Sequence, residues 1–100
     1  MNFPFRFNQF AYEEYILAFE WYELQSEGLG EKFMKQVEKK LFHISIHPYN
    51  YSKRKSNFRE AKVEQFPYSI IYEYFKNKEI IHIAAIYHHK RNPKMKYRKM

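Results

Sequence analysis

Two runs decide the fold: Tyr68-Ser69-Ile70-Ile71-Tyr72-Glu73-Tyr74-Phe75 and, after Lys76-Asn77-Lys78, the run from Glu79 through Ile80-Ile81-His82-Ile83-Ala84-Ala85-Ile86 to Tyr87. Both are rich in β-branched and aromatic residues, the composition of strands. The three residues between them predict a short turn in which Asn77 takes positive φ. Residues 80–86 are apolar on both parities, which predicts a central strand covered on both faces. Upstream, residues 51–55 and 59–66 also read as strands. The second of these alternates through Ala61, Val63 and Gln65 until Phe66-Pro67-Tyr68 interrupts it.

The first half has a helical period instead. Asn8 is placed to cap a helix running to about Ser26, with an inner stripe of Ala11, Tyr15, Ala18 or Phe19, and Tyr22. Glu13, Glu14, Glu20 and Glu23 are expected on its wet side, and Trp21 and its neighbours in the core of a helical hairpin. Gly28-Leu29-Gly30 holds both glycines of the chain and predicts a tight reversal with positive φ. A second helix from about Glu31 to Ile46 buries Phe33, Val37, Leu41 and Ile44, and His47-Pro48 ends it. Phe3-Pro4-Phe5-Arg6-Phe7 reads as a short first strand, with Pro4 confining it to a start or an edge. The expected fold is α+β, in the order β-α-α-β-β-β-β. The helical hairpin packs on one face of a twisted antiparallel sheet. Residues 1–100 form a single domain, with a flexible basic tail over about 93–100.

Charge is segregated along this layout. Residues 1–47 carry five Lys and Arg against seven Glu, and residues 48–100 carry thirteen against four, a balance of +9. Such polarity creates a face that attracts phosphate backbones or an acidic protein; the competing reading is a solvated, solubilising surface. The absence of Cys excludes disulfides and thiolate metal sites. No apolar run approaches the ~20 residues of a membrane span, and no signal-peptide pattern opens the chain, so a cytoplasmic protein without membrane contact is expected.

Several pieces, in order, resemble the RelE/ParE superfamily of toxins from type II toxin–antitoxin systems. They are Trp21-Tyr22-Glu23, the Gly28 to Phe33 turn, His47-Pro48, Arg54 and Arg59 ahead of Phe66-Pro67-Tyr68, and Ile70-Ile71-Tyr72. The last is Ala85-Ile86-Tyr87-His88-His89-Lys90-Arg91-Asn92-Pro93, in which a strand runs into His-x-x-Arg-x-Pro. The resemblance implies a cognate antitoxin, small, acidic and partly disordered, and no cofactor. The activity expected from it is ribosome-dependent mRNA cleavage, as in RelE-like members, and the alternative is ParE-like poisoning of DNA gyrase without hydrolysis. A third possibility is a member that only binds its antitoxin.

For the nuclease, the resemblance implies Arg54, Arg59 and Arg91 around the scissile phosphate, because a guanidinium is a planar and permanently charged fork. His88 is the candidate acid or base, and Tyr97, six residues after Arg91, the candidate stacking or proton-donating group. Lys53, Lys55 and Lys62, with Lys90 and Lys94, would bind flanking phosphates, or one lysine would serve as base. Blander readings stand beside these. Arg54 and Lys55 suit an edge strand that repels pairing, Arg59 suits a surface ion pair with Glu60, and His82 suits the core. His43 and His47 suit a helix C-terminus. His88-His89 suggests a metal only weakly, since neither Cys nor a nearby acid accompanies it.

Overall fold

The computed structural model describes residues 2–91 and 96–98. The elements are β1 (Phe5–Phe7), α1 (Gln9–Gln25), α2 (Leu29–Ile46), β2 (Lys53–Lys55), β3 (Phe58–Lys62), β4 (Tyr68–Phe75), a 3-10 turn (Lys76–Lys78) and β5 (Ile80–His88). The order β-α-α-β-β-β-β is the one expected. Five strands form one sheet in the order β1-β5-β4-β3-β2. From β2 to β5 the pairings are antiparallel, whereas β1 joins β5 in parallel, which makes the sheet mixed. The physical reason lies in the hairpin. It returns the chain alongside β1, where Phe3 N–H donates to Ser45 O at 2.9 Å, and the following strands then fill the sheet inward from the far edge. Among the described residues, no helix is long and apolar enough to cross a membrane.

Asn8 caps α1 as expected, its side chain accepting from Phe10 N–H. The turn to α2 uses its two glycines differently. Gly28 has φ of 85° and is the left-handed residue. Gly30 lies inside the first turn of α2, where a Cβ would stand 2.6 Å from Phe19 O. Glu23, expected in solvent, is half-buried and caps α2 from the preceding helix: one carboxylate oxygen accepts from Gly28 N–H at 3.0 Å, the other from Gly30 N–H at 2.9 Å. A carboxylate at a helix N-terminus satisfies orphan amides and complements the helix dipole.

The hairpin buries Ala11, Ala18 and Tyr22 of α1 and Phe33, Val37, Leu41 and Ile44 of α2 against Ile70, Tyr72, Ile81, Ile83 and Ile86. Phe33 is central, with ring centroids 5.1–5.2 Å from Tyr22, Phe66 and Tyr68. Trp21 is a correction: its side chain is 56% exposed rather than in the hairpin core. Two strands are shorter than expected. Residues 51 and 52 precede β2, and β3 stops at Lys62 because Gln65 turns the chain with φ of 69°, closing Val63 N–H onto Tyr68 O. In the β4–β5 connection it is Glu79, at φ 51°, and not Asn77 that takes positive φ.

As expected, β5 is central and covered on both faces. A bulge against Ile71 places Ala84 and Ala85 together on the face away from the helices. There they join Phe58, Ile71 and Tyr87, and Tyr97 packs over them. Residues 96–98 pack against the sheet; the rest of the tail expected over 93–100 lies outside the described residues.

The two glycines predict different losses. Gly30→Ala should lower stability by about 1–3 kcal/mol, because the new methyl meets backbone. Gly28→Ala, in open space but at positive φ, should cost about 1 kcal/mol. Urea midpoints for the two variants check the order, and equal midpoints would refute the close approach at Gly30.

Candidate functional site

The residues expected to form one site lie in three places. At the first, β5 ends against α1. His88 sits opposite Tyr68, with ring centroids 4.9 Å apart, edge to face. A turn in which Arg91 N–H donates to His88 O sends the Arg91 side chain toward α1. Leu17, Ala18, Trp21, Tyr22, Tyr68, His88 and Arg91 line a pocket of about 380 Å³ there. Burial pushes the Tyr22 and Tyr68 phenols above their usual 10, so both remain protonated donors at neutral pH. Burial, together with the positive charges of Arg91, His89 and Lys90, holds His88 below 6.5. Its Nδ1 accepts from Lys90 N–H at 3.0 Å, which leaves the proton of the neutral ring on Nε2. His88 thus offers a donor to the pocket rather than a free base.

Glu14, expected in solvent, is the residue that organises this place; only 6% of it is exposed. Oε1 accepts from Ile86 N–H at 3.0 Å and Arg98 Nη1 at 3.0 Å; Oε2 accepts from Arg98 Nη2 at 2.9 Å and Arg91 Nη1 at 3.3 Å. Arg98 also donates to Ala84 O at 3.2 Å, and its guanidinium lies 5.4 Å from the Phe10 ring centroid. The sequence signal for Glu14 was faint: Ala11 and Ala18, one turn to either side, are small enough to bring α1 close to β5.

The second place is the sheet face away from the helices. Tyr97 packs on Phe58 at 5.2 Å. Lys55 Nζ and Lys96 Nζ stand 5.6 and 5.7 Å from its ring centroid. Lys96 also lies 4.9 Å from the Tyr87 ring centroid and pairs with Glu60 at 2.8 Å. Burial works against its charge, but that carboxylate more than offsets the penalty and raises its pKa. Lys62 is exposed on the same face, opposite Ser69. Lys53 and Arg54 are exposed on the edge strand β2, and Lys90 is exposed beyond β5.

Arg59 is in the third place, on the helix side of the sheet opposite Tyr72. It donates to Tyr51 O at 2.6 Å and Tyr49 O at 3.4 Å, and its guanidinium lies 5.9 Å from the Tyr49 ring centroid. The expected pairing with Glu60 is absent, because neighbouring strand residues face opposite ways and Glu60 meets Lys96. Four strand positions and two strand spacings put Arg59 roughly 15 Å from His88. The sheet separates His88 from Tyr97, so Arg54, Arg59, His88, Arg91 and Tyr97 do not surround one point. Lys94 lies outside the described residues. His88 and His89 diverge, His89 Nε2 lying 2.9 Å from Ser69 Oγ. His82 is buried, with Nδ1 3.4 Å from Glu73 Oε1.

The model of one family, the ParE toxin of the type II toxin–antitoxin system parDE, matches residues 6–93. The chain belongs to this family. Among solved structures, it is similar to the E. coli toxin RelE, an arginine-to-alanine double mutant in the free state. The two are 18% identical with a TM-score of 0.63, over 85% of this chain and 81% of that one. At that identity the likeness is one of fold. No curated protein matches the sequence. As a member of the ParE toxin family, the chain is the toxin of a type II pair, and the family implies an antitoxin partner.

Two stability predictions follow from buried charge. Glu14→Ala strands the largely buried Arg98 guanidinium and the Ile86 amide and should cost about 3–5 kcal/mol, measured by urea unfolding. A loss near that of an exposed helix site would show that the cluster contributes little. The second concerns His82, which burial holds below 6.5 despite the opposing influence of Glu73. A His kept neutral in the fold binds its proton more readily when unfolded. Its penalty is therefore absent well above pH 6.5 and grows as pH falls below about 6.5. Urea midpoints should drop between about pH 7.5 and about pH 5.5, and the drop should shrink in His82→Gln.

Proposed function

We propose that this toxin acts by binding its target, as ParE-like toxins hold DNA gyrase, and not by cutting RNA. One observation carries the reading: the arginines expected to stabilise a phosphorane are dispersed, Arg59 is held on the carbonyls of Tyr49 and Tyr51, and Arg91 gives part of its fork to Glu14. Transition-state stabilisation requires donors aimed at the same developing charge, and Arg59, whose backbone lies roughly 15 Å from that of His88, is bound to its own neighbours' carbonyls instead. His88 adds support, since its Nδ1 lone pair is occupied by Lys90 N–H. The match of residues 6–93 to the ParE toxin model points the same way. A cytoplasmic location follows from such a target, and the cognate antitoxin neutralises the toxin by covering its surface.

A second reading has a specific observation in its favour. Lys55, Lys62, Lys96 and Tyr97 share the sheet face away from the helices, an aromatic among ammonium groups that suits single-stranded RNA. In that reading the ribosome and mRNA are the partners, and cleavage belongs to this face.

Purified toxin added to gyrase should block supercoiling, and the same toxin added to a translating extract should leave mRNA intact. Arg91→Lys should be nearly silent in the gyrase assay, because charge is kept and only the fork is lost. Cleaved mRNA with undisturbed supercoiling, abolished by Tyr97→Phe or Lys55→Ala, would establish the second reading instead.

A further inference from the structure

We propose that the outer seam of α1 is where the antitoxin docks a helix, one whose apolar stripe is flanked by basic residues on one side and acidic residues on the other. The proposal rests on the toxin–antitoxin pairing and adds the site and the chemistry of its occupant. Positions 10, 14, 17, 21 and 24 follow a four-three spacing, the seam of a coiled coil. Phe10, Leu17, Trp21 and Leu24 occupy four of them, and each is more than half exposed, Leu24 at 84%. The fifth is Glu14, whose carboxylate is satisfied from beneath by Arg98, Arg91 and Ile86 N–H. Isolated exposed apolar residues are ordinary, but four in register along roughly 21 Å of helix form a strip, unbroken from Leu17 to Leu24 and interrupted before Phe10 by Glu14.

The two sides of the strip differ in charge. Glu13 and Glu20 are exposed along one side. On the other the seam opens into the pocket of about 380 Å³ walled by Tyr68, His88 and Arg91. The Arg91 side chain is 43% exposed and gives one nitrogen to Glu14, leaving the rest of its fork for a carboxylate from outside. A partner helix that places a large apolar side chain in the pocket, an acid at Arg91 and a base opposite Glu13 and Glu20 satisfies all three features. Opposite charges on the two flanks also fix the direction in which that helix lies. A rival apolar groove of about 460 Å³ lies between β1 and α2, beside Phe5, Phe7 and Phe42. Its one charged residue is Glu38, so it gives a partner little by which to choose its orientation.

The probe is the protein encoded by the reading frame adjoining this gene, titrated against the full-length chain. Leu17→Lys should raise its Kd at least ~10-fold, and Leu17→Lys with Leu24→Lys ~100-fold or more, as expected for anchors at the centre of a helix interface. Both sites are exposed, so circular dichroism and urea midpoints should stay near wild type and separate lost binding from lost folding. Glu20→Lys should weaken binding about threefold, an effect that salt reduces, and Phe42→Lys should leave it unchanged. Undiminished affinity in the double lysine variant would overturn the proposal, as would an equal loss from Phe42→Lys. A wild-type chain that is dimeric by light scattering, and monomeric in the double variant, would give the seam to a second copy. Failure of the adjoining protein to bind wild type or to relieve growth arrest would instead bring down the pairing on which the proposal rests.

Discussion

Where β1 stops at Phe7, opposite Ile83, β5 continues to His88 with an edge that no strand among the described residues covers, and Glu14 closes that edge. Its carboxylate accepts from Ile86 N–H, while Arg98, held on the same carboxylate, donates a hydrogen bond to Ala84 O. Together they replace the ladder that a longer β1 would have supplied. A buried carboxylate standing alone costs several kcal/mol of desolvation. Here two guanidiniums and one amide meet it, and the contacts bind three parts of the chain into one cluster. Removing Glu14 leaves the Ile86 amide and most of the Arg98 guanidinium without their acceptor. For that reason α1, the end of β5 and residues 96–98 depend on one another more than their separation in sequence suggests.

This arrangement gives the sheet two unlike faces. The helical hairpin covers one with a continuous apolar core. The other carries a small cluster of Phe58, Ile71, Ala84, Ala85 and Tyr87, covered by Tyr97. The β5 bulge makes that cover possible, because two consecutive alanines on the same side leave a shallow floor. Lys55, Lys62 and Lys96, from β2, β3 and the C-terminal residues, surround it. The pocket beside His88 and Arg91 belongs to the opposite side and is walled by α1. Charge that is continuous in sequence is thus divided in space between a basic sheet face and a mixed-charge helix seam. A toxin that must meet both a target and an antitoxin has separate surfaces available for the two.

Local sequence rules read much of the fold correctly, and the reasons are visible residue by residue. Asn8 and Ser26 bound α1, Phe33, Val37, Leu41 and Ile44 face inward on α2, and the two Ile-rich runs are β4 and β5. Each depends on periodicity or capping within a few residues, which a sequence displays directly. The errors share another cause. Glu14, Glu23 and Trp21 all lie on α1, where polarity alone assigned the two acids to solvent and the indole to the core. Their actual places depend on what stands opposite: Arg98, 84 positions away, for Glu14, the amides of the next helix for Glu23, and no described core element for Trp21.

The candidate site shows the same division. Residue types at the end of β5 and along β2 marked where chemistry was to be sought, but adjacency in the list of basic residues did not become adjacency in space. Strand alternation turned Arg59 and Glu60 to opposite faces, and the sheet came between His88 and Tyr97. The order of elements, the inward stripes and the family were within reach of the sequence because they arise from short-range periodicity and motif order. Which charges meet, which carboxylate is buried and which apolar residues remain uncovered were decided only by the tertiary structure. Those outcomes depend on the β5 bulge, the parallel placement of β1 and the return of residues 96–98, and each is a long-range pairing that no local stretch encodes.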